Sequence, residues 1–366
     1  MAPGPDAPAR SRRATGPAAQ LAIGFGILVL VAAAIIVGFL TLYKQFWGPG
    51  AFAERYVERI AAADASGALA MPGVAPEYAD LEQLGRGYAS DTLLRAATLT
   101  SEITGIDAVS EQTTHEDGRE ITEVTVQYTM DGGTDRMVFR LERTGTSGLV
   151  PEWGFETSPL SVIDLTVRGS WRFSVNGYEI DKRQVSPAGV EADPLEPVSL
   201  LAFSPGNYAV SVDTAATAAP SRSVRAKSLL GIVPVDIQTR PTTELNEVVQ
   251  EKIEDYLVDT CTTQTVLQPS GCPFGAPAEV SAQGFAQSDI VWEMVDMPRT
   301  ALVPDGDDWE VSATSGMAKL SVTIQDYYTG ALVPVEREVF FTMVADVDVR
   351  DDNSVEITID SAGDEG

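Results

Sequence analysis

The two cysteines are the first residues whose type and spacing suggest chemistry. Cys261 and Cys272 are the only cysteines in 366 residues, and they lie in the turn-rich stretch CTTQTVLQPSGCPFG. A structural zinc site takes four nitrogen or sulfur ligands, and a redox pair is usually spaced C-x-x-C with a lowered thiol pKa. Neither pattern is present. In an oxidising compartment such a pair is normally a disulfide, and a closed loop of this length stabilises by about 3 kcal/mol in the chain-entropy model.

The single histidine is the next candidate, because histidine titrates near neutral pH. His115 lies in the polar segment TTHEDGRE, with turn residues around it and no nucleophile context. The motifs of serine hydrolases, zinc proteases, P-loop proteins and dinucleotide-binding proteins do not occur in the sequence. We expect a solvated histidine at a hairpin tip, and we predict no catalytic residue, no metal ligand and no cofactor.

Two acidic runs supply the remaining candidates, because paired carboxylates hydrolyse glycosides and bind calcium. The runs are VPDGDDWE, with Asp305, Asp307 and Asp308, and VADVDVRDDN, with Asp346, Asp348, Asp351 and Asp352. In the second run a two-residue period predicts that Asp346 and Asp348 lie on the solvent face of a strand. Arg350 occupies what would be the third ligand position of an EF-hand loop. Solvated acidic faces are the favoured interpretation, with calcium binding as the alternative.

An apolar segment near the N-terminus determines where these residues are placed. The stretch LAIGFGILVLVAAAIIVGFL, residues 21–40, contains no polar side chain, and as a helix it spans ~30 Å, the thickness of a bilayer core. We predict a transmembrane helix over residues 20–43, in contact with the lipid bilayer. Three arginines precede it and an acidic region follows, which favours a cytoplasmic N-terminus and an extracytoplasmic remainder.

Two questions about this segment stay open at the level of sequence. Cleavage as a signal peptide is the alternative to an anchor, although the nearest A-x-A site, Ala51 to Ala53, lies some ten residues too far on. Small residues four apart, Ala22 with Gly26 and Ala34 with Gly38, would let two helices approach closely. The oligomeric state is therefore not predicted.

Composition limits the class of partner. The chain has 53 acidic and 25 basic residues, a net charge of −28, whereas nucleic-acid binding requires lysine and arginine against phosphate. We therefore predict no nucleic-acid partner. Residues 1–19 are rich in proline, alanine and glycine and are predicted to be a disordered cytoplasmic tail.

The hydrophobic period divides the rest of the chain into three. Residues 50–158 begin with a helical period and continue as alternating strands, which predicts an α+β domain. Residues 160–240 contain strand and turn signals, among them Asn176-Gly177 in a hairpin, and predict a small all-β sandwich. Residues 241–361 repeat the helix-then-strand pattern around the cysteine loop. The predicted fold class is α+β.

Both predicted amphipathic helices have a defined apolar face. In the first helix, the residues on that face are Phe52, Tyr56, Val57, Ile60 and Ala63. In the second helix, within TTELNEVVQEKIEDYLVDT, they are Leu245, Val248, Val249, Ile253, Tyr256 and Leu257.

Residues 160–240 resemble small β domains of the PEGA kind, in which a V-N-G hairpin is followed by a P-G-x-Y-x-V-x-V strand. The matching residues are Val175, Asn176 and Gly177, then Pro205, Gly206, Tyr208, Val210 and Val212. The flanking segments, which contain Trp153-Gly154-Phe155 and Trp309-Glu310-Val311, resemble ketosteroid-isomerase-like cone domains.

The order of these segments is similar to the TcaA-like membrane proteins of Gram-positive bacteria and to membrane proteins of actinobacteria. The N-terminal zinc ribbon usual in TcaA-like proteins is absent here. The resemblance implies a wall- or membrane-associated role without a known reaction. An isomerase-type pocket would need a buried Asp base and Tyr-type donors, and no such set aligns in this chain.

Three functional hypotheses follow. The leading one is a single-pass envelope protein, not an enzyme, whose extracytoplasmic part binds or scaffolds a cell-wall component or another envelope protein. The alternatives are an extracytoplasmic enzyme that uses a cone-domain pocket and a passive structural spacer. A deep pocket with convergent polar groups would favour the enzyme.

Overall fold

The structure, a computed structural model, describes residues 17–116, 118–148, 150–306, 308–350 and 354–361. The composition is mixed α+β, with 48% of residues in strands and few helices, which confirms the predicted class at this level. The helices are α1 Pro17–Trp47, α2 Pro49–Ala61, α3 Ala65–Leu69, α4 Tyr78–Gln83, α5 Lys182–Val185, α6 Thr243–Asp255 and α7 Ala278–Gln283.

Helix α1 is predominantly apolar, and nearly all of its described side chains are exposed. It belongs to the one helical run among the described residues that is long and apolar enough to cross a membrane, with a mean hydropathy of 2.0 over its most apolar stretch and none of that stretch buried. A core helix would bury one face, so this uniform exposure is the arrangement that a membrane anchor or a signal sequence requires. The predicted tail, residues 1–19, lies mostly outside the described residues.

Helix α1 passes directly into α2 across Gly48, with Pro49 at the first position of the new helix. The end of α1 is capped from outside: the Arg55 guanidinium donates to the Phe46 carbonyl (3.1 Å) and the Trp153 indole N–H donates to the Trp47 carbonyl (3.0 Å). Carbonyls at a helix end otherwise lack partners. The junction is therefore held by the folded part of the protein.

The N-terminal sheet unit, residues 49–155, consists of α2, α3 and α4 with an antiparallel meander. Its strands are β1 Ile103–Glu116, β2 Arg119–Met130, β3 Gly133–Ser147 and β4 Val150–Phe155, in the order β1-β2-β3-β4. Asp131 and Gly132 both have positive φ, 52° and 81°, as a two-residue type I′ turn requires. Helix α2 buries the predicted face except for Ala63, which lies beyond the helix at φ 54°.

The sandwich, residues 160–241, packs a five-stranded sheet against a three-stranded one. Its strands are β5 Leu160–Arg168, β6 Arg172–Val175, β7 Tyr178–Asp181, β8 Val198–Phe203, β9 Gly206–Asp213, β10 Thr217–Ala226, β11 Ile232–Gln238 and β12 Arg240–Pro241. The sheet orders are β12-β10-β9-β6-β7 and β11-β5-β8, with β11 parallel to β5. Asn176 and Gly177 form the predicted positive-φ turn. This segment was predicted to be all-β, but it also contains one helical turn, α5, which the Asp181 side chain caps.

The C-terminal sheet unit, residues 243–361, places α6 across a second antiparallel sheet. Its strands are β13 Gly284–Asp296, β14 Leu302–Asp305, β15 Asp308–Asp326, β16 Leu332–Val349 and β17 Val355–Ser361, in the order β13-β15-β16-β17 with β14 also on β15. Thr242 caps α6 through its side chain, and Leu245, Val249 and Ile253 are buried on the sheet. The helix continues as a π-helical turn, Tyr256–Cys261.

The N-terminal sheet unit and the sandwich share one hydrophobic core. Leu160, Val162, Leu201 and Phe203 of the sandwich lie in the same buried cluster as the apolar face of α2. A backbone bridge pairs Ser90 with Leu200 of β8.

An ion pair with little solvent exposure adds to this interface. The Arg86 guanidinium donates to Asp164 Oδ2 at 2.6 and 2.8 Å, and the Ser199 hydroxyl donates to Oδ1 at 2.7 Å. The Asp164 side chain is 8% exposed, so three donors compensate for the loss of water around its charge.

The sandwich also contacts the C-terminal sheet unit. The Thr242 hydroxyl and amide donate to the carbonyls of Ala215 and Ala216. Gly169, at φ +75°, lies against the indole of Trp309, where an added Cβ would approach Trp309 to 3.0 Å and Thr239 Oγ1 to 2.7 Å. Trp309 is 2% exposed, so it acts as the apolar anchor of this contact.

Candidate binding groove

The predicted disulfide is present. Cys261 and Cys272 are joined, with their Cα atoms 5.7 Å apart, and the Cys261 side chain is fully buried at the end of the π-helical turn. The bond fixes the following loop against the sheet, where the Phe274 ring lies 5.0 Å from Trp292 and 5.3 Å from Phe341. The disulfide thus holds both the loop that it closes, through Leu267, and the segment after Cys272, through Phe274, against the C-terminal core.

The disulfide loop also forms one wall of a groove. Its cavity has a volume of about 440 Å³ and is lined by Lys252, Tyr256, Gly271, Ile357, Thr358 and Ile359. The Tyr256 hydroxyl donates to the Gly271 carbonyl at 2.8 Å, and Gly271 precedes the disulfide-bonded Cys272. This wall is therefore held at both ends, by α6 and by the disulfide.

The opposite wall of the groove is β17, the last strand of its sheet. Residues alternate along β17: Val355, Ile357 and Ile359 are half-buried towards α6, and Glu356, Thr358 and Asp360 are exposed. An amphipathic strand of this kind presents aliphatic side chains to the groove and acidic side chains to solvent. The arrangement suits an apolar guest surface more than a reacting polar substrate.

The carboxylates of the second acidic run lie next to this groove on the outer face of the sheet. Asp346 and Asp348 are exposed, as predicted, and the register places them opposite Thr358 and Glu356. Glu356 accepts from Arg350, whereas no ion pair is formed by Asp346, Asp348 or Asp360 within the described part of the chain. The outer face beside β17 therefore retains uncompensated negative charge.

The other candidate residues do not converge on a site. His115 is exposed on β1 opposite Glu120. Asp305 and Asp308 face each other across the tight β14–β15 hairpin, while Asp307, Asp351 and Asp352 lie outside the described residues. Among the residues that the structure describes, no group of three histidine, cysteine or acidic side chains has the geometry to hold a metal ion.

A second, smaller cleft lies at the junction of the sandwich and the C-terminal sheet unit. Its cavity measures about 60 Å³, with Arg172, Arg183 and Arg350 at its rim. Arg183 donates to Asp181 at 2.6 Å and stacks on Trp171 at 5.2 Å, and these hydrogen bonds hold the pKa of Asp181 below its usual range. The cleft is therefore small. Carboxylates already engage Arg183 and Arg350, so most of the positive charge of its lining is neutralised.

Sequence reasoning missed the groove because its parts come from three separate segments. The apolar face of α6 was predicted to include Tyr256, and the tyrosine is indeed half-buried. The alternation in VEITID was also visible. What could not be inferred was that β17 ends its sheet and lies across from Tyr256 and Gly271, because strand order depends on long-range pairing.

Comparisons with known proteins add no relative to this description. No protein-family model matches the sequence, and neither a curated protein nor a solved structure shows significant similarity to it. The functional conclusion therefore depends on the geometry of the groove, the disulfide and the apolar helix.

Proposed function

We propose that this protein is a single-pass membrane-anchored envelope protein whose extracytoplasmic part binds or scaffolds another envelope component. The observation that carries the proposal is the 440 Å³ groove beside β17, on a folded unit that is tied through the sandwich to an exposed apolar helix. The partner is a protein or a wall component, with the N-terminus of the chain in the cytoplasm.

The junction between α1 and α2 supports an anchor rather than a cleaved signal sequence. Helix α2 begins at Pro49 and buries Phe52, Tyr56 and Ile60 in the core of the N-terminal sheet unit. Cleavage after Ala53 would cut inside this helix and remove Phe52 from the core. A retained helix keeps both the core and the capping bonds of the junction.

The disulfide supports an extracytoplasmic location for the C-terminal sheet unit, because disulfides persist in oxidising compartments. The groove supports binding, because Tyr256 and the disulfide hold one wall and Ile357 and Ile359 line the other. The proposed cone-like form of the two sheet units, with a helix across a curved sheet, and the kinship to TcaA-like proteins belong to this same proposal. In the N-terminal sheet unit, Phe203 and Leu201 fill the core beside α2, so a cone-domain enzyme would use the groove of the C-terminal sheet unit.

Topology is tested by thiol labelling of intact cells that express the full chain. With a membrane-impermeant maleimide, Cys261 and Cys272 should react only after denaturing reduction, because both are disulfide-bonded outside the membrane and Cys261 is buried. Labelling that appears only after cell lysis would place the unit in the cytoplasm and overturn the proposal.

Binding is tested by photo-crosslinking in the same cells. A photoreactive amino acid in place of Thr358, exposed on β17 at the margin of the groove, should give a discrete adduct, whereas the same residue in place of Glu247, exposed on α6, should not. The two positions lie in one folded unit, so expression and topology are matched. Absence of an adduct at both positions would favour the passive spacer.

A further inference from the structure

Strand β17 has a regular free edge, unlike the other strands that end the four sheets. On one side, all seven residues of β17 are in register with β16, from Val355 opposite Val349 to Ser361 opposite Met343. On the other side, no strand pairs with it within the described chain. In an antiparallel strand, alternate amides and carbonyls point to each side. One row of backbone groups on β17 is therefore available for pairing.

The remaining terminal strands carry features that block such pairing. Strands β1 and β13 have register shifts, and β4, β11 and β12 contain Pro151, Pro234 and Pro241. Strand β7 has only 4 residues, and β8 is paired with Ser90. Strand β17 contains no proline, lysine or bulge, so its edge is open and regular over the whole length of the strand.

The groove next to this edge has room for side chains of an added strand. A strand added to β17 would direct every second side chain towards Ile357 and Ile359, on the side of α6. The cavity of about 440 Å³ is roughly three times the ~150 Å³ that accommodates a benzene molecule. Aliphatic side chains therefore fit on that face.

The charges on the outer face determine what the other side chains of an added strand should be. Glu356 and Asp360 flank Thr358 on the exposed face, next to Asp346 and Asp348 of β16. Like charges on adjacent strands are destabilising and opposite charges stabilise. Pairing of β17 with β17 of a second copy would bring two acidic faces together, so the charges select against a symmetric dimer.

We propose that β17 accepts, by strand addition, an extended segment of a partner protein in which aliphatic residues alternate with lysine or arginine. The aliphatic side chains enter the groove against Ile357 and Ile359, and the basic side chains face Glu356 and Asp360. The backbone pairing supplies affinity and the alternate side chains supply specificity. This inference rests on the proposed function, because it names the chemistry of the bound partner.

The test uses the full chain in nanodiscs of zwitterionic lipid, so that the lipid does not attract basic peptides. The probe is a blocked peptide of alternating valine and lysine, as long as β17 at 7 residues, and binding is measured by calorimetry at low salt. A peptide with its valines and lysines in separate blocks and a peptide of alternating valine and glutamate are the controls. Binding of the alternating basic peptide alone is expected, and equal binding of the block peptide would overturn the inference.

Variants separate the two faces of the strand. Glu356→Lys combined with Asp360→Lys should weaken binding about tenfold by charge reversal, and Ile359→Lys should weaken it similarly by occupying the groove. Glu247→Lys combined with Glu251→Lys, the same charge change on the exposed face of α6, should leave binding unchanged. If the Glu356/Asp360 double variant and Ile359→Lys both bind the peptide as the unmodified protein does, the peptide binds elsewhere and the inference is wrong.

Backbone pairing has its own readout. Peptides N-methylated at odd positions and at even positions block opposite edges of the strand, so one should lose binding and the other should keep it. Equal binding by both would exclude strand addition. Dimerisation of the protein that Ile359→Lys abolishes would instead identify a second copy as the occupant.

The two proposals fail in different ways. If the groove gives an adduct in cells but the peptides do not bind, partner binding stands and strand addition is wrong. If neither is seen, both proposals fall.

Discussion

The N-terminal and C-terminal sheet units share an architecture and differ in what covers it. In both, an amphipathic helix, α2 or α6, lies across an antiparallel sheet. In the first, Phe203 and three other side chains of the sandwich complete the core. In the second, a disulfide-closed loop covers part of the core and leaves a groove beside β17. The comparison shows that a neighbouring domain fills the core of one such unit, while its counterpart retains an open groove.

The two units also differ in how many of their acidic residues pair with arginine around the residues compared. Arg140 in the N-terminal unit pairs with Glu116, Glu123 and Glu156. Around β17 only Glu356 has an arginine partner among the described residues. Negative charge is thus compensated around Arg140 and retained on the outer face beside β17.

The largest expected effect comes from opening the closed unit. Phe203→Ala removes a side chain with no exposed surface and should destabilise the N-terminal unit and sandwich by about 3 to 5 kcal/mol. Ile359→Ala, the matched change in the open groove, should cost about 1 kcal/mol because the side chain is already half-exposed. Calorimetry of the full chain should show a large loss for the first variant only, and equal losses would contradict the comparison.

Removing the disulfide should affect the C-terminal unit alone. Cys261→Ser combined with Cys272→Ser should lower its stability by about 3 kcal/mol, because the unfolded loop gains conformational freedom. The unmodified protein under reducing conditions should show the same decrease in Tm, and Ser270→Ala is the control for local packing. A decrease in the N-terminal transition would mean that the units unfold together.

The ion pair between the N-terminal unit and the sandwich should give an intermediate effect. Arg86→Ala leaves the Asp164 carboxylate, 8% exposed, with the Ser199 hydroxyl as its remaining donor at this interface, at a cost of about 2 kcal/mol. Arg168→Ala removes a similar guanidinium from Asp236, whose side chain is 57% exposed, and should cost less than ~0.5 kcal/mol. Urea denaturation distinguishes the two, and equal values would mean that burial of Asp164 does not matter.

The smallest effect concerns pH. Hydrogen bonds from the Arg140 guanidinium lower the pKa of Glu116. A carboxylate with a depressed folded pKa contributes stability above its unfolded pKa, near ~4.3 for Glu, and loses it as pH falls through the folded value. Carboxyl NMR titration should show a midpoint below the usual range, and Arg140→Gln should return it towards that range. An unchanged midpoint in Arg140→Gln would exclude Arg140 as the cause.

Local features of the fold could be predicted from the sequence, because their causes are local. The turn at Asn176-Gly177 follows from residues that tolerate positive φ, and the buried faces of α2 and α6 follow from the helical period. Ala63 was misplaced because the helix ends at Ala61, which the period does not reveal. Turn α5 was missed because a one-turn helix has no period to detect.

The long-range features could not be predicted from a single sequence. Arg86 and Asp164 are 78 residues apart in the chain, and β5 pairs with β11 in parallel across most of the sandwich. The disulfide could be predicted because the pair is close in sequence and no competing ligand set is present. The groove could not, because it depends on which strand ends the sheet.

The linkerless junction at Gly48 has a mechanical consequence if α1 spans the bilayer. With Arg55 and Trp153 bound to the last carbonyls of α1, a load applied at β17 passes through the folded units into the axis of the helix. A flexible tether would first be extended, at a cost in conformational entropy, before it transmitted the load. The groove would then keep a constrained height above the lipid, so that partners in the same membrane meet it by lateral diffusion, and partners fixed in a wall meet it only at that height.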